Sequence, residues 1–398
     1  LLLVEVIARA LRKNGSFALF VSDRNLASEE AVSALERQGF VRPPISEDSD
    51  RRILYAVDMH EPLLLLHNLE TTIKEPFASC PEVQEMMEKN HQRLQLAMTK
   101  LYPGNLVLSL SSSVMHHRLV DRITALNEVP SEPTVPRRLG VNMCVPFGKI
   151  LRGKVVPNTV TKTLHTDKVY EPDLDSYSIE PFPYYSPLKS QIATIRSFDR
   201  PVILVDDLVH KADRLQALAP SLREAGIPIK KVVVGIISGY GRDLMQQFKL
   251  PVEGIYGMPN LRQWFVESTL YPFIGGDTVR RPEMKGAGLQ PSINMILPYA
   301  TPMLEGSSRE ALFEFSACCI ENARDLLRIL EAEYRKQFSK NLTLSRLPEA
   351  VILPLCPDKG SCMNYDENLA ASEYLEADLE TLWRMREFMT GKRSPDRI

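Results

Sequence analysis

The chain has 398 residues, 44% of them hydrophobic and 25% charged, with a formal net charge of −2. That length suits two or three globular domains, and the near-neutral charge, with no basic stripe interleaved with aromatics, excludes an electrostatic footprint for nucleic acid. The run Pro62 to Leu66 is far shorter than the ~20 apolar residues that cross a bilayer, so no membrane span is expected. No charged segment, apolar core and cleavage site mark a secretory leader. The six cysteines are scattered without a CxxC pair. Their spacing fits neither a zinc site nor a disulfide framework, and a reducing cytoplasm is the expected location.

At the start of the chain, Leu2, Leu3, Ile7, Ala10 and Leu11 recur at helical spacing, and Asn14-Gly15 ends the helix. Phe17 to Val21 reads as a strand, Ser28 to Gln38 as a helix closed by Gly39, and Arg52 to Val57 as a second strand. The phrase SEEAVSALERQGF resembles the signature near the end of GNAT acyltransferases, with Ala31, Gly39 and Phe40 in the matching places. It departs from that family at Ser28, where Asn is frequent, and at Leu35, where a general-acid Tyr often lies. The family's glycine-rich loop for the coenzyme A pyrophosphate would fall before Leu1. The resemblance therefore implies the C-terminal half of a GNAT domain over residues 1–60, with acetyl-CoA as a ligand only where an upstream half is present. With a helical pattern already under way at Leu1-Leu2-Leu3, the chain is expected to be part of a larger bacterial multidomain protein.

Residues 61–100 read as a mostly helical, charged connector, with Met86, Met87, Leu94, Leu96 and Met98 as packing residues. Tyr102-Pro-Gly104 breaks the helix, Asn105 to Leu110 is a strand, and Val114 to Leu126 is a helix. His116 and His117 on it point to different faces, so they cannot form the usual same-face metal pair. Three prolines within Pro130 to Pro136 make a loop, and Gly140 to Val145 is a short strand. It leads into Gly148, Lys149, Arg152 and Lys154. Glycine there permits backbone approach to an anion that the cations would neutralise; a basic surface turn is the alternative. Val155 to Tyr170, rich in Val and Thr with Pro-Asn as its turn, reads as a hairpin. Glu171 to Pro187 reads as a Pro- and Tyr-rich loop.

The most informative stretch is Pro201 to Leu215, PVILVDDLVHKADRL. Val202 to Val205 form an uninterrupted apolar run, as in a strand buried on both faces of a parallel sheet. Asp206 and Asp207 follow, and Ala212, Leu215, Leu218, Ala219 and Leu222 then recur at helical spacing. Gly226-Ile-Pro228 stops that helix, and Lys231 to Ser238 is the next strand, completing a βαβ unit. Ligands of such sheets sit beyond the carboxyl ends of the strands. Two carboxylates there can accept hydrogen bonds from sugar hydroxyls or hold a divalent metal, or simply cap the helix. VILVDD before a short turn and a helix resembles the phosphoribosyl-pyrophosphate motif of type I phosphoribosyltransferases. The resemblance implies that Asp206 and Asp207 hold the ribose, directly or through Mg²⁺. It implies that His210, Lys211 and Arg214 surround the 5′-phosphate, and that Lys149, Arg152 and Lys154 face the pyrophosphate. It further implies that Val155 to Tyr170 is a mobile hairpin closing over the reaction. The chain departs from the family at His210 to Arg214, where a Thr- and Gly-rich turn would stand.

Beyond that unit, Ser238-Gly-Tyr-Gly-Arg242 follows the second strand, placing Gly239 and Arg242 on the ligand edge. Val252 to Met258 is a strand and Leu261 to Leu270 a helix. Asp277, after two glycines, reaches a ligand or caps a turn. Arg309 to Phe338 and Ala370 to Met389 are long amphipathic helices. Glu331, Glu333, Arg335 and Lys336 are expected on a solvated face. The expected fold is α/β: a parallel-sheet, phosphoribosyltransferase-like (Rossmann-like) core over residues 101–305, preceded by the partial GNAT-like segment (1–60) and helical connector (61–100). Residues 306–398 are a helical tail that offers an assembly surface. The expected function is binding of phosphoribosyl pyrophosphate or a nucleotide in nucleotide metabolism, with pyrophosphate displacement at ribose C1 as its reaction and no general base identifiable. The alternatives are acyl transfer by a larger GNAT protein and a non-catalytic nucleotide sensor or scaffold. The expected partner is this small ligand, with neither nucleic acid nor membrane.

Overall fold

The computed structural model describes residues 16–21, 29–41, 53–136, 138–151, 153–183, 185–281, 288–302, 304, 306–360 and 364–390. The amphipathic stretch expected over Leu2 to Leu11 lies outside them. By contacts the chain divides into two units, one of Leu1–Ser109 with Arg262–Ile398 and the other of Leu110–Leu261. No helix among the described residues is long and apolar enough to cross a membrane.

The first unit is organised by one strand, Ile53–His67. Its first part pairs antiparallel with Ser16–Val21, from Ser16↔Asp58 to Val21↔Ile53, and the Glu29–Arg37 helix lies between the two in sequence. Its last part pairs in parallel with Gln263–Val266, and Asn105–Ser111 also pairs with it. Leu63, Leu64, Leu65 and Leu66 are all buried, as befits a strand covered on both faces. Residues 61–67, expected to be helical, are therefore strand, because four consecutive leucines bury equally well on two sheet faces. Leu261 to Leu270 is likewise not one helix. Gln263–Val266 is drawn into the sheet by its parallel register with Leu63–Leu66, and only Glu267–Leu270 is helical.

The Arg309–Phe338 helix starts where Ser308 Oγ accepts the Ala311 N–H at 3.1 Å, and stops at Ser339, whose φ of 54° is left-handed. It packs against the Pro81–Leu101 and Ala371–Thr390 helices. Phe313, Phe315, Ile320, Ala323, Leu326, Leu327 and Leu330 are wholly buried in the core they share. Arg335 and Lys336 are exposed, as expected, but Glu331 is not on a solvated face. It accepts hydrogen bonds from the Ser372 hydroxyl (2.7 Å) and N–H (3.2 Å), near the start of the neighbouring helix, and burial raises its pKa. In another sheet Asp277–Val279 pairs antiparallel with Gln290–Ile293, which runs parallel to Leu355–Pro357.

The Leu110–Leu261 unit holds a five-stranded sheet in the spatial order Val252–Met258, Ile229–Ser238, Val202–Val209, Met143–Pro146, Val160–Thr161. Every neighbouring pair in it is parallel. The Asp213–Glu224 and Gly239–Gln247 helices connect its strands, and Ser112–Leu126 packs on Ile229–Ser238 and Val252–Met258. This is the α/β, Rossmann-like architecture expected from the βαβ pattern. The hairpin expected over Val155 to Tyr170 is displaced: Val160–Thr161 pairs in parallel at the sheet edge, and the antiparallel hairpin is Thr166–Tyr170 with Tyr177–Pro181. Asn158 explains the shift. It is buried with φ of 52°, and its amide donates to Pro130 O at 2.8 Å and Glu132 O at 2.7 Å, so Pro157-Asn158 anchors a loop.

Two outcomes test this packing. Leu327→Ala, a wholly buried truncation, is expected to cost about 2–5 kcal/mol in chemical denaturation. In the other unit, Arg122 and Lys231 both donate to Glu253 Oε2 at 2.9 Å, and the Arg122 hydrogen bond leads in lowering the Glu253 pKa. A lowered folded pKa gives stability that is present above the usual glutamate range, near ~4.3, and is lost as pH falls through the folded value. Glu253→Gln should therefore be less stable than the native chain at pH 7, with the difference closing on acidification. A gap independent of pH would remove the charge from the explanation.

Candidate functional site

In the parallel sheet, the chain moves outward to Val160–Thr161 after Met143–Pro146 and in the opposite direction to Ile229–Ser238 after Val202–Val209. The strand order thus reverses between Met143–Pro146 and Val202–Val209, and in open α/β sheets the crevice beyond the carboxyl ends at such a point takes the ligand. Asp206 and Asp207 lie on one of these strands, and Gly148 follows the other.

Val202 to Val205 are fully buried. Asp206 is buried and Asp207 half-buried, and as neighbours on a strand they face opposite sides of the sheet. Asp206 Oδ1 accepts the Asp207 N–H at 2.9 Å and lies 3.8 Å from Arg214 Nη1. Burial pushes the Asp206 carboxyl well up, the charge of Asp207 adds to this, and Arg214 opposes it. The strand pairing carries on past Pro146, where the Phe147 N–H donates to Val205 O at 3.0 Å, and this brings Gly148 onto the same carboxylate. A Cβ at Gly148 would fall 1.6 Å from Asp206 Oδ1. Only glycine leaves that oxygen its place.

The turn after the acids keeps a glycine-like backbone without the glycine. Ala212 has φ of 55° as N-cap of the Asp213–Glu224 helix and offers no side-chain cap. A left-handed non-glycine residue costs about 1–2 kcal/mol. The first amides of that helix point to the turn, as at many anion sites. Asp213, in the first turn, complements the helix dipole and pairs with Lys168 at 3.3 Å; the Lys168 ammonium lies 3.7 Å from the Tyr177 ring centroid on the hairpin. Lys211 is exposed. His210 is half-buried, with Nδ1 2.8 Å from Ser238 Oγ, which also accepts the Gly241 N–H at 2.9 Å. Burial, helped by the Lys211 charge, lowers the His210 pKa, so a neutral ring accepting the Ser238 proton at Nδ1 fits this pair.

Lys149 and Lys154 are exposed, and Arg152 lies outside the described residues. Gly239 and Gly241 have packing reasons for lacking a side chain: a Cβ would fall 2.5 Å from Pro259 O at the first and 2.3 Å from Val209 O at the second. Arg242 is exposed, one turn along from them. Asp277 is half-buried, in register with Ile293 at a strand end of the other unit.

One constellation had no expectation attached to it. In the first unit, His67 Nδ1 lies 2.5 Å and His91 Nδ1 2.9 Å from Glu267 Oε2. Glu267 is wholly buried at the Gln263–Val266 junction with its short helix. Burial opposes its charge, but the hydrogen bonds from both histidines prevail and lower its pKa; burial also opposes the charge on His67, whose pKa the same carboxylate raises. The trace in sequence is an acid directly after the apolar run Trp264-Phe265-Val266, and partners 176 and 200 residues away are not legible from it.

No family model and no curated protein matches the chain. Among solved structures it is similar to a purine phosphoribosyltransferase from Pyrococcus horikoshii Ot3, at 12% identity over 39% of this chain and 85% of that one, TM-score 0.24. A protein from Aquifex aeolicus is similar at 17% identity over 47% and 85%, TM-score 0.23. A hypoxanthine phosphoribosyltransferase from Trypanosoma cruzi, complexed with the product IMP, is similar at 14% identity over 41% and 76%, TM-score 0.22. These are partial, low-scoring similarities, and the functional reading rests on the geometry above.

Gly148→Ala should destabilise the Leu110–Leu261 unit by about 1–3 kcal/mol, the usual range for forcing an extra group into a filled place. Asp206→Ala in the same chain should recover part of that loss, because it removes the oxygen that the new methyl would strike. Strictly additive losses in denaturation would show that the loop and the carboxylate are not in contact.

Proposed function

We propose that Leu110–Leu261 is a phosphoribosyltransferase-like domain that binds a 5′-phosphorylated ribose, as phosphoribosyl pyrophosphate or a nucleotide. The observation that carries this reading is that Asp206 and Asp207, in the C-terminal half of the Val202–Val209 strand, and Gly148, just past Met143–Pro146, lie on the two strands between which the sheet order reverses. On this reading Asp207, the more accessible acid, takes the ribose hydroxyls directly or through Mg²⁺, and Asp206 orders the loop at Gly148. The amides after Ala212, with Lys211 and His210, take the 5′-phosphate, and Arg214 sets the charge of Asp206. Lys149, Arg152 and Lys154 serve the pyrophosphate. Where turnover accompanies binding, a nitrogen nucleophile forms a bond to C1 as the bond from C1 to the pyrophosphate oxygen breaks.

A non-catalytic nucleotide sensor is the second reading, favoured by Asp213. Its carboxylate stands in the first helical turn, where a phosphate would compete with it for the same positive end. Acyl transfer remains attached to residues 1–60 only. The antiparallel Ser16–Val21 and Ile53–Asp58 pair with a helix between them supports that segment's GNAT-like reading, and activity would need the coenzyme loop upstream.

Calorimetric titration with ribose 5-phosphate, phosphoribosyl pyrophosphate plus Mg²⁺, and an unphosphorylated nucleoside tests the proposal. A lost charge-assisted hydrogen bond is worth about 1.5–3 kcal/mol, or about ten- to a hundredfold in affinity. Lys211→Ala should weaken the phosphorylated ligands by that factor and leave the nucleoside unchanged, whereas Asp207→Asn should weaken all three. Binding without release of pyrophosphate, across a panel of nitrogen bases, supports the sensor. Equal affinity for phosphorylated and unphosphorylated ligands, or none for any, would overturn both readings.

A further inference from the structure

We propose that His67, His91 and Glu267 form a binding site for one divalent transition-metal ion, through the two Nδ1 atoms and Glu267 Oε2. The site lies wholly within the Leu1–Ser109 and Arg262–Ile398 unit, and it is independent of the reading given to the Asp206 strand. Its three residues come from a strand end, the middle of a helix and a strand-to-helix junction, and their ligand atoms all fall within 4.8 Å of one another. The two imidazole rings lie with centroids 4.3 Å apart and planes tilted by 47°.

The spacing suits an ion. Two ligands ~2.05 Å from a common metal, at angles of about 90–109°, lie roughly 2.9–3.3 Å apart. His91 Nδ1 and Glu267 Oε2 are already 2.9 Å apart, while His67 Nδ1 at 2.5 Å would retreat by about 0.4–0.8 Å. His67 is the member free to do so, since its side chain is 20% exposed against 10% for His91 and 0% for Glu267. That exposed edge also supplies the entry path.

The surrounding contacts orient the ligands as in known metal sites, where the outer hydrogen bonds fix tautomer and lone pair. His91 Nε2 lies 2.8 Å from Ser109 Oγ, so the tautomer that donates there presents a bare Nδ1 to the ion. Tyr271 donates its hydroxyl to Glu267 Oε1 at 2.9 Å, which leaves Oε2 for the metal. Asn322 in turn donates to the Tyr271 oxygen at 2.9 Å, and Asn90 and Asn322 exchange amide bonds to each other's backbone carbonyls at 2.8 Å. A carboxylate with no exposure needs a compensating charge, and a divalent ion supplies it while using both histidines. The rival arrangement is a metal-free Ser109–His91–Glu267 chain in which His67 pairs with Oε2 as the counter-charge, and the titration below separates the two. Two imidazoles and one carboxylate suit Zn²⁺, Fe²⁺ or Co²⁺ over Mg²⁺ or Ca²⁺, and they leave positions open for water or substrate.

The test uses the untagged chain, stripped with chelator and titrated with Co²⁺ by visible absorption and with Zn²⁺ by calorimetry. One equivalent should bind, with the absorption of a nitrogen- and oxygen-ligated ion. Ser109→Ala should weaken binding about 10–100-fold, the usual cost of removing an outer contact, and His91→Ala or Glu267→Gln by more than that. Should the buried variants fail to fold, His67→Ala at the exposed edge decides, since it should lose most of the affinity while keeping the native circular dichroism. Absence of binding by the native chain, or binding undiminished in folded His67→Ala, would overturn the proposal. So would labelling of Ser109 by a fluorophosphonate in protein that binds no metal.

Discussion

The contact between the Asp206 carboxylate and the backbone at Gly148 is the constraint on which the Leu110–Leu261 unit turns. A carboxyl group lies within the Val202–Val209 strand, directly after its apolar run, and is enclosed by a loop from the neighbouring strand. Burying it is unfavourable to its charge, and the nearby Asp207 makes matters worse; Arg214, the second residue of the next helix, compensates in part. The arrangement ties three pieces together: the strand, the loop after Met143–Pro146, and the helix that begins at Asp213. It also separates the roles of the two acids. Asp206 is spent on the protein, while Asp207 keeps part of its surface.

The turn that follows shows the same economy. Ala212 holds the left-handed conformation in which glycine would be unstrained, at a modest cost in strain. Lys211 is exposed, and Asp213 is drawn towards Lys168 on the Thr166–Tyr170 strand of the hairpin.

The other unit rests on a different principle. Its core is a large aliphatic and aromatic cluster in which the Arg309–Phe338 helix, the Pro81–Leu101 helix and the buried end of Ile53–His67 meet. Within that apolar volume one polar network centres on a carboxylate, Glu267, flanked by two histidines and a tyrosine. A buried polar network of this kind is costly unless each member is satisfied, and here each contact fixes the orientation of the next. The short Glu267–Leu270 helix exists at the point where this network and the parallel pairing of Gln263–Val266 must both be accommodated.

Periodicity alone determined much of this protein. Arg309 to Phe338 and Val252 to Met258 have the bounds their patterns imply, and the parallel sheet follows from the apolar runs at Val202 and Lys231, because local spacing dictates which faces can be buried. The acidic pair after the apolar run was legible for the same reason, but the strand continues through both acids to Val209, which the run alone did not indicate. Local pattern could not distinguish strand from helix at Leu63–Leu66 and Gln263–Val266, since a short apolar run buries well either way and only the mutual register of the two segments chose strand. Nor could it place the hairpin, because Asn158 is committed to the carbonyls of Pro130 and Glu132 some distance back in the chain. The contact of Gly148 with Asp206 and the meeting of His67, His91 and Glu267 belonged to tertiary structure entirely. Each joins residues that share no helical turn or strand, and proximity of that kind is created only when separate elements pack.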